Sequence, residues 1–214
     1  MSIERVDSGI KNLDRMTGGG IPREMIILVE GEPGSGKSNF GLEYLYRGVQ
    51  KGENGLYVSF QDTKNEVKRT TTFDWNFDQK VDEKEINVQK FDPYRYEKIS
   101  DMLRSAVLEN DASRVVIDPI TDLDLYIDSR KDQRKNLLEI KQELKDLNCT
   151  SLLLAEEKES TELEEELVDG IIQMRLSRGD EGMKRHIFVK KLKGTDFNHS
   201  VHRYVFKNDG IKIR

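Results

Sequence analysis

The residues of this 214-residue chain best suited to chemistry form one glycine-rich stretch, Gly-Glu-Pro-Gly-Ser-Gly-Lys-Ser at positions 31–38. It fits the pattern G-x-x-x-x-G-K-[ST], in which backbone N–H groups surround the phosphates of a nucleotide. The inner glycines let the chain curl around the oxygens, the lysine can bridge the outer phosphates, and the last serine can hold Mg²⁺. We therefore predict a nucleotide-binding loop formed by Glu32, Pro33, Gly34, Ser35, Gly36, Lys37 and Ser38.

The sequence on either side of this loop supports the prediction. An apolar run of strand length precedes it at residues 25–29, and apolar residues recur at helical spacing between residues 39 and 50. A strand before the loop and a helix after it would direct the positive end of the helix dipole toward the anion. A chance match in a glycine-rich turn would not require these two elements.

Asp118 is the candidate for a second part of the nucleotide site. It follows the apolar residues 115–117, and the carboxyl ends of strands border the crevice where open α/β sheets bind ligands. Its carboxylate could hold a magnesium-bound water there. The alternative is an acid that only caps the following turn. We expect Ser38 and Asp118 to form the metal site.

Hydrolysis of a triphosphate also needs a group that orients and deprotonates the attacking water. Gln61 and Asp62 lie at the end of a predicted strand, residues 55–60. An amide can orient water but cannot take its proton, and Asp62 is one methylene shorter than glutamate. Glu156 and Glu157, after a later strand, are other candidates, and Asp62 is equally compatible with a simple acid at a helix N-terminus. We select Gln61 and Asp62 as the catalytic candidates.

Two lysines late in the chain, Lys191 and Lys193, alternate to one face of a predicted strand and so present two cations together. Cations supplied to a phosphate by a neighbouring subunit stabilise the charge of the transition state. Lysines are also typical of solvated faces of edge strands, where they discourage aggregation. The residues alone favour the solvated face.

Strands and helices are predicted to alternate through most of the chain, and the final part contains strands only. The motif Thr63-x-x-Glu66 predicts a capping box that opens a helix, and Asp128 is a candidate cap for the helix with Leu137, Ile140 and Leu144 on its buried face. The late strands are predicted at residues 170–176, 186–193, 203–206 and 211–213. This order predicts one α/β domain over residues 1–214, with a mostly parallel twisted sheet flanked by helices and a C-terminal antiparallel extension.

Composition argues against several classes of protein. No apolar run approaches the roughly 20 residues that span a bilayer, and the N-terminus lacks the pattern of a signal peptide. The single cysteine, Cys149, cannot form an intramolecular disulfide and is expected to be a buried thiol. These features predict a cytoplasmic protein without membrane insertion. The net charge of −5 gives no general attraction for nucleic acid.

Short motifs along nearly the whole chain belong together. Besides the phosphate loop, they are Ser8-Gly9-Ile10-x-x-Leu13-Asp14, Gly18-Gly19-Gly20-Ile21-Pro22, Tyr57-Val58-Ser59-Phe60, Phe73-x-Trp75, Val115-Val116-Ile117-Asp118, Leu167-Val168-Asp169-Gly170-Ile171-Ile172, Lys191-Leu192-Lys193-Gly194-Thr195 and Asn208-Asp209-Gly210-Ile211. In this order they resemble the KaiC-type branch of the RecA-fold ATPases. The N-terminal glycine cluster and the late lysine motif make the resemblance specific.

The resemblance implies a RecA-like P-loop core that binds ATP and Mg²⁺ at the subunit interfaces of a hexameric ring. It also implies that Lys191 and Lys193 reach the nucleotide of the adjacent subunit, which reverses the solvated-face interpretation of these lysines. A protein of this kind is expected to act as a nucleotide-dependent oligomeric switch in signalling or regulation, and its protein partner is not evident from the sequence.

The chain departs from the family pattern at two places. The family usually has paired glutamates where this chain has Gln61-Asp62, so we expect slow ATP hydrolysis. Autophosphorylating relatives carry Ser or Thr shortly before the Asp-x-Ile-Ile motif, where this chain has Glu164-Glu165-Glu166, so we do not expect autokinase activity there. The clock protein KaiC has two ATPase domains in tandem and this chain has one, so no circadian role is predicted.

Two alternatives to this switch are a recombinase-like ATPase that binds DNA and a protein like the archaellum-motor component FlaH, in which nucleotide binding matters more than hydrolysis. In RecA-like recombinases a loop near the position of residues 156–167 contacts DNA. In this chain the segment contains seven glutamates and a single lysine, Lys158. Negative charge close to phosphates repels them, so DNA is not expected as a partner.

Overall fold

The computed structural model describes residues 3–157, 162–179 and 182–214. The strands are β1 (Arg5–Val6), β2 (Ile21–Pro22), β3 (Ile26–Gly31), β4 (Asn54–Ser59), β5 (Ile86–Lys90), β6 (Ala112–Asp118), β7 (Thr150–Glu156), β8 (Gly170–Gly179), β9 (Gly182–Leu192), β10 (His202–Lys207) and β11 (Gly210–Ile213). The α-helices are α1 (Leu13–Met16), α2 (Lys37–Val49), α3 (Lys64–Thr70), α4 (Phe77–Asp82), α5 (Ile99–Asn110), α6 (Arg130–Asp146) and α7 (Glu162–Leu167), and 3₁₀ helices span Pro93–Lys98 and Ile120–Leu125.

Nine of the strands in these described residues form one sheet in the order β11-β10-β9-β8-β3-β7-β6-β4-β5, and β1 pairs with β2 separately. The neighbours from β8 to β5 are parallel, whereas β8, β9, β10 and β11 pair antiparallel in sequence. The predicted α/β fold with a mostly parallel sheet and a C-terminal antiparallel extension is confirmed. The carboxyl ends of β3, β7, β6 and β4 therefore meet at one edge of the sheet.

Helices cover both faces of the sheet because successive residues of a buried strand point to opposite sides. Ile27 and Val29 of β3 belong to a buried cluster with the apolar side chains of α2. Ile26 and Leu28 belong to a second cluster with α5 and α6 on the other face. The strand that carries the phosphate loop is thus fixed from both sides.

Two further segments are part of this core. The N-terminal lead-in contributes Leu13 and Met16 of α1 to the cluster that contains α2. The aromatic residues after α3 pack against the same cluster, with Trp75 stacked on Tyr46 at a centroid separation of 4.6 Å. Cys149 is fully buried, and burial raises the pKa of its thiol to about 12.

Three element boundaries differ from the prediction. Ser129, and not Asp128, caps α6, and its side chain accepts a hydrogen bond from the Asp132 N–H. Strand β9 ends at Leu192, so Lys193 follows the strand. Strands β8 and β9 extend beyond the predicted residues 170–176 and 186–193 toward the tip of their hairpin, where residues 180 and 181 lie outside the described residues.

Among the described residues, no helix combines the length and the apolar character needed to cross a bilayer.

Candidate functional site

The phosphate loop connects the end of β3 to the start of α2. Gly36 is the N-cap of α2 with a φ of 97°, a left-handed conformation that glycine adopts without strain. A Cβ atom placed on Gly36 would lie 2.2 Å from Cζ of Phe206, so a side chain cannot be accommodated there. Gly36, Lys37 and Ser38 all border one cavity, and the first N–H groups of a helix have no intrahelical acceptor, as an anion site requires.

The loop residues Pro33, Gly34 and Gly36 border a cavity of about 460 Å³. Glu32 faces away from it, and its Oε2 accepts a hydrogen bond of 3.1 Å from the Leu176 N–H of β8. Ser35 is buried, and its carbonyl accepts a hydrogen bond from the Tyr204 hydroxyl of β10. Glu32 and Ser35 therefore fix the loop to the antiparallel extension, while the glycines face the cavity.

Lys37 folds back over the loop. Its Nζ donates to the carbonyl oxygens of Gly31 at 2.8 Å and Glu32 at 3.2 Å. Burial lowers the pKa of Lys37, and the nearby carboxylates of Asp118 and Glu156 oppose this effect. A partly buried ammonium bordering this cavity is well placed to exchange carbonyl partners for the oxygens of a bound phosphate.

Ser38 and Asp118 are 80 positions apart in the chain and meet in the cavity. The Ser38 Oγ donates to Asp118 Oδ2 at 2.7 Å, and the Tyr57 hydroxyl of β4 donates to the same oxygen. Burial raises the pKa of Asp118, and these two hydrogen bonds oppose the rise. A hydroxyl and a carboxylate at this spacing are oxygen ligands of the kind that Mg²⁺ prefers, so the residues present fit that ion.

Gln61 and Asp62 border the same cavity at the carboxyl end of β4. Both backbone N–H groups donate to the Ser59 Oγ, and the Gln61 amide donates to Asp122 Oδ2 at 3.0 Å. The Asp62 side chain is exposed. The structure thus brings both predicted residues to the pocket and directs the Gln61 side chain toward Asp122.

The two glutamates considered as alternative bases separate. Glu156 borders the cavity from the end of β7. Glu157 accepts a hydrogen bond of 2.9 Å from Gln173 and forms an ion pair of 3.3 Å with Arg175. The Glu157 carboxylate therefore interacts with side chains of β8, and Glu156 is the glutamate of this pair that borders the pocket.

Sequence reasoning missed several residues of the cavity lining, among them Arg185 of β9 and Phe206 of β10. The Arg185 guanidinium carbon lies 4.9 Å from the centroid of the Phe206 ring. The Arg185 Nε is buried without a hydrogen-bond partner among the described residues. Together they add a cation and an aromatic surface to the pocket. The alternation of Tyr204 and Phe206 on one face of β10 was the available signal.

Lys191 and Lys193 lie at the opposite end of the sheet from the phosphate loop. Lys191 pairs with Ile171 near the start of β8, and β8 begins beside Ile27 of β3, four residues before Gly31. The Lys191 Nζ donates to the Glu165 carbonyl oxygen at 2.7 Å, and the Lys193 Nζ lies 3.2 Å from an oxygen of Asp169. The two cations share one region, and this region is remote from the pocket of their own subunit.

Proteins of one family are similar to this chain over nearly its whole length. The family model described as "ATPase: KaiC" matches residues 6–214. UPF0273 proteins of Thermotoga maritima and Methanopyrus kandleri are 32% and 30% identical to this chain, with 99% and 100% of the chain and 96% and 93% of those proteins covered. The crystal structure of a KaiC-like protein from Pyrococcus horikoshii superposes with a TM-score of 0.90 at 25% identity and 100% coverage of both chains. The chain belongs to the KaiC-like ATPase family, with its RecA-like fold and its nucleotide-binding character.

Proposed function

We propose that this protein binds ATP with Mg²⁺ in the phosphate-loop pocket, hydrolyses it slowly and acts as a nucleotide-dependent oligomeric switch in the cytoplasm. The meeting of Ser38 with Asp118 at 2.7 Å, beside a glycine loop that borders a cavity of about 460 Å³, is the observation that supports this most strongly. Residues from two distant segments converge where a triphosphate and its metal ion would be held.

Each residue of the pocket has a separate task in this proposal. The N–H groups around Gly34 and Gly36 bind phosphate oxygens, and Lys37 neutralises the outer phosphates. Ser38 and Asp118 hold Mg²⁺, which would neutralise charge that develops on the phosphate oxygens. Arg185 and Phe206 offer a cation and a flat apolar surface, which fit a ligand with an anionic end and an aromatic base.

The proposal of slow hydrolysis is based on Gln61 and Asp62, which border the pocket. Asp62 is exposed at its rim and can serve as the base, while the Gln61 amide is bonded to Asp122 and would have to leave it to orient water. Binding without measurable turnover would favour the alternative role of a nucleotide-binding component like FlaH.

The oligomeric part of the proposal is based on the placement of Lys191 and Lys193. They are too far along the sheet to serve their own pocket, so they would act on the nucleotide of an adjacent copy, as in a hexameric ring. An as yet unidentified signalling protein would then detect the assembly. The DNA-binding alternative is disfavoured because α7 carries Glu162 and Glu166 exposed at its surface, although Lys158 lies outside the described residues.

Isothermal titration calorimetry with ATP and Mg²⁺ tests the first step directly. The wild-type protein should bind with a measurable heat, and Lys37→Ala should abolish binding because the phosphates lose their cation. Lys98→Ala, an exposed lysine outside the pocket, is the matched control and should bind like the wild type. A wild-type protein that binds no purine triphosphate would overturn the proposal.

A further inference from the structure

A cluster of three lysines surrounds one buried carboxylate at the end of the sheet opposite the phosphate loop. Asp169 follows α7 and is 5% exposed. Lys141 and Lys193 lie 3.3 and 3.2 Å from its Oδ1, and Lys145 lies 3.3 Å from its Oδ2. The Ile26 N–H also donates to Oδ2 at 3.3 Å, so Asp169 is held by the strand that carries the phosphate loop.

The cluster contains more positive charge than one carboxylate needs. The three lysines and Asp169 leave a net charge of +2 on these described side chains. Lys191 lies close enough that burial, and then the charge of Lys193, lowers its pKa. Burial acts to raise the pKa of Asp169, but the Ile26 N–H and the lysines together hold it below its ordinary value. Asp169 is therefore an ionised carboxylate with spare cationic partners.

The three lysines differ in how firmly they are held. The Lys141 side chain is 20% exposed and its Nζ also donates to the Leu167 carbonyl oxygen, whereas the Lys193 side chain is 49% exposed. Among the described residues the Lys193 ammonium has Asp169 as its polar partner, and Lys193 lies just after the last residue of β9. The Lys145 side chain is 40% exposed, so Lys193 is the most exposed of the three and the one that can leave, whereas Lys141 stays.

We propose that Asp169 is an internal counter-ion that holds Lys193 in a retracted position, and that Lys141 and Lys145 keep Asp169 compensated when Lys193 leaves to bind the polyphosphate of a neighbouring copy. This rests on the proposed function, in which Lys193 acts between subunits. Asp169, Lys141 and Lys145 are positioning residues in this account, because they act through Lys193.

The energetic argument concerns the charge that is left behind. Removing one partner from a buried ion pair is strongly destabilising when the remaining charge has no other partner. Here two lysines and a backbone N–H remain on Asp169, so the departure of Lys193 leaves no uncompensated charge. The Asp169 carboxylate and a polyphosphate are both oxyanions that can bind the Lys193 ammonium. The polyphosphate carries more negative charge, so it binds Lys193 more strongly once it lies at the interface.

Sedimentation velocity across a protein concentration series, with and without ATP and Mg²⁺, tests this inference with two variants that should change assembly in opposite directions. Asp169→Asn keeps an acceptor for the Ile26 N–H but removes the charge that retains Lys193, so ATP-dependent assembly should tighten by roughly fivefold. The double variant Lys141→Met/Lys145→Met removes the reserve cations, which binds Lys193 more firmly to Asp169 and should weaken assembly by a similar factor.

The controls separate this proposal from a structural role and from the proposed function. In a Lys193→Met background Asp169→Asn should have no effect on assembly, and thermal unfolding should show that each variant folds. Two variants that both weaken assembly would show a purely structural cluster and overturn the inference. If Asp169→Asn does not fold, Lys141→Met alone decides, because unchanged or tighter assembly contradicts the inference. A wild-type protein that does not assemble with ATP would overturn the proposed function itself.

Discussion

Asp118 accepts hydrogen bonds from two hydroxyl groups on a single oxygen, one from Ser38 and one from Tyr57. If Ser38 were to bind Mg²⁺, the Tyr57 hydroxyl would remain as a donor that orients the Asp118 carboxylate. Tyr57 is 2% exposed, and burial raises the pKa of its phenol well above the ordinary value, so it remains a neutral donor.

We expect Tyr57→Phe to weaken ATP binding in the presence of Mg²⁺ by roughly tenfold, because a hydrogen bond to a charged group contributes about 1.5 kcal/mol. Binding measured in EDTA should change much less. Calorimetry in both buffers provides the comparison. Tyr46→Phe is the control, since its hydroxyl bonds to Asn76 outside the pocket. Equal losses with and without Mg²⁺ would show that Tyr57 only packs.

Asp62→Asn should lower the rate of ATP hydrolysis on the order of 100-fold while leaving the dissociation constant for ATP nearly unchanged, because a general base acts in the transition state. Phosphate release and calorimetry measure the two quantities. Asp146→Asn, exposed near the end of α6, is the control. An unchanged rate would exclude Asp62 as the base and leave Glu156, which borders the same cavity.

Glu30 in β3 is a buried carboxyl next to Glu165, with the Lys190 Nζ at 3.6 Å. Burial, and then the Glu165 charge, raises the pKa of Glu30 to about 7 from 4.5. Between these two pH values the folded protein holds a proton that the unfolded chain has released. The free energy of unfolding therefore falls as pH rises through this window.

Glu30→Gln removes this titration and should gain stability relative to the wild type, by on the order of 2 kcal/mol, as the pH is raised from 4.5 to 7.5. Urea unfolding at both pH values measures the difference. The control is Glu97→Gln, a change at an exposed glutamate. Its free energy of unfolding should differ from that of the wild type by the same amount at both pH values. Parallel stability profiles of Glu30→Gln and the wild type would contradict the assignment.

Sequence reasoning could place Ser38 beside Asp118 because each follows a strand whose carboxyl end borders the same crevice. It could not place Arg185 or Phe206, because their approach to the loop depends on the register of β9 and β10 in the extension. Tyr57 belonged to a quoted motif, but its hydroxyl partner on the neighbouring strand β6 is visible only in three dimensions.

At the scale of elements, the α6 cap shows how local chemistry decides a boundary. Asp128 and Ser129 are both favourable cap residues, and the fold uses Ser129. We expect Ser129→Ala to lower the free energy of unfolding by about 1 kcal/mol. Asp128→Ala should stay within about 0.5 kcal/mol. Chemical denaturation of both variants checks this, and the reverse order of losses would contradict the cap.

The predicted strands of the β8–β9 hairpin were too short, and this error has a physical cause. Both strands extend past the packed part of the sheet, where Arg175, Ser177 and Arg178 are exposed. Mutual hydrogen bonds hold this section in register, from Arg175 opposite His186 to Gly179 opposite Gly182. A strand held by pairing instead of burial has no apolar pattern for sequence analysis to detect. The central parallel strands, buried on both faces, were predicted well for the opposite reason.

At the scale of the whole molecule, the pocket and the lysines that would complete its partner's pocket lie at opposite ends of one sheet. This polarity suits a head-to-tail arrangement of copies, in which each copy supplies cations to the next. We propose that residues 1–214 act as one domain in such an assembly, because the sheet that bears the loop also bears the lysines. Sequence alone could not show this separation, since it depends on the strand order.

The most direct test of the account is the molar mass of the purified protein by size-exclusion chromatography with light scattering, measured with and without ATP and Mg²⁺. We expect a larger assembly in the presence of the nucleotide, and we expect Lys37→Ala and the double variant Lys191→Ala/Lys193→Ala to keep the mass seen without it. An identical mass of the wild-type protein under both conditions would contradict the central claim that nucleotide controls assembly.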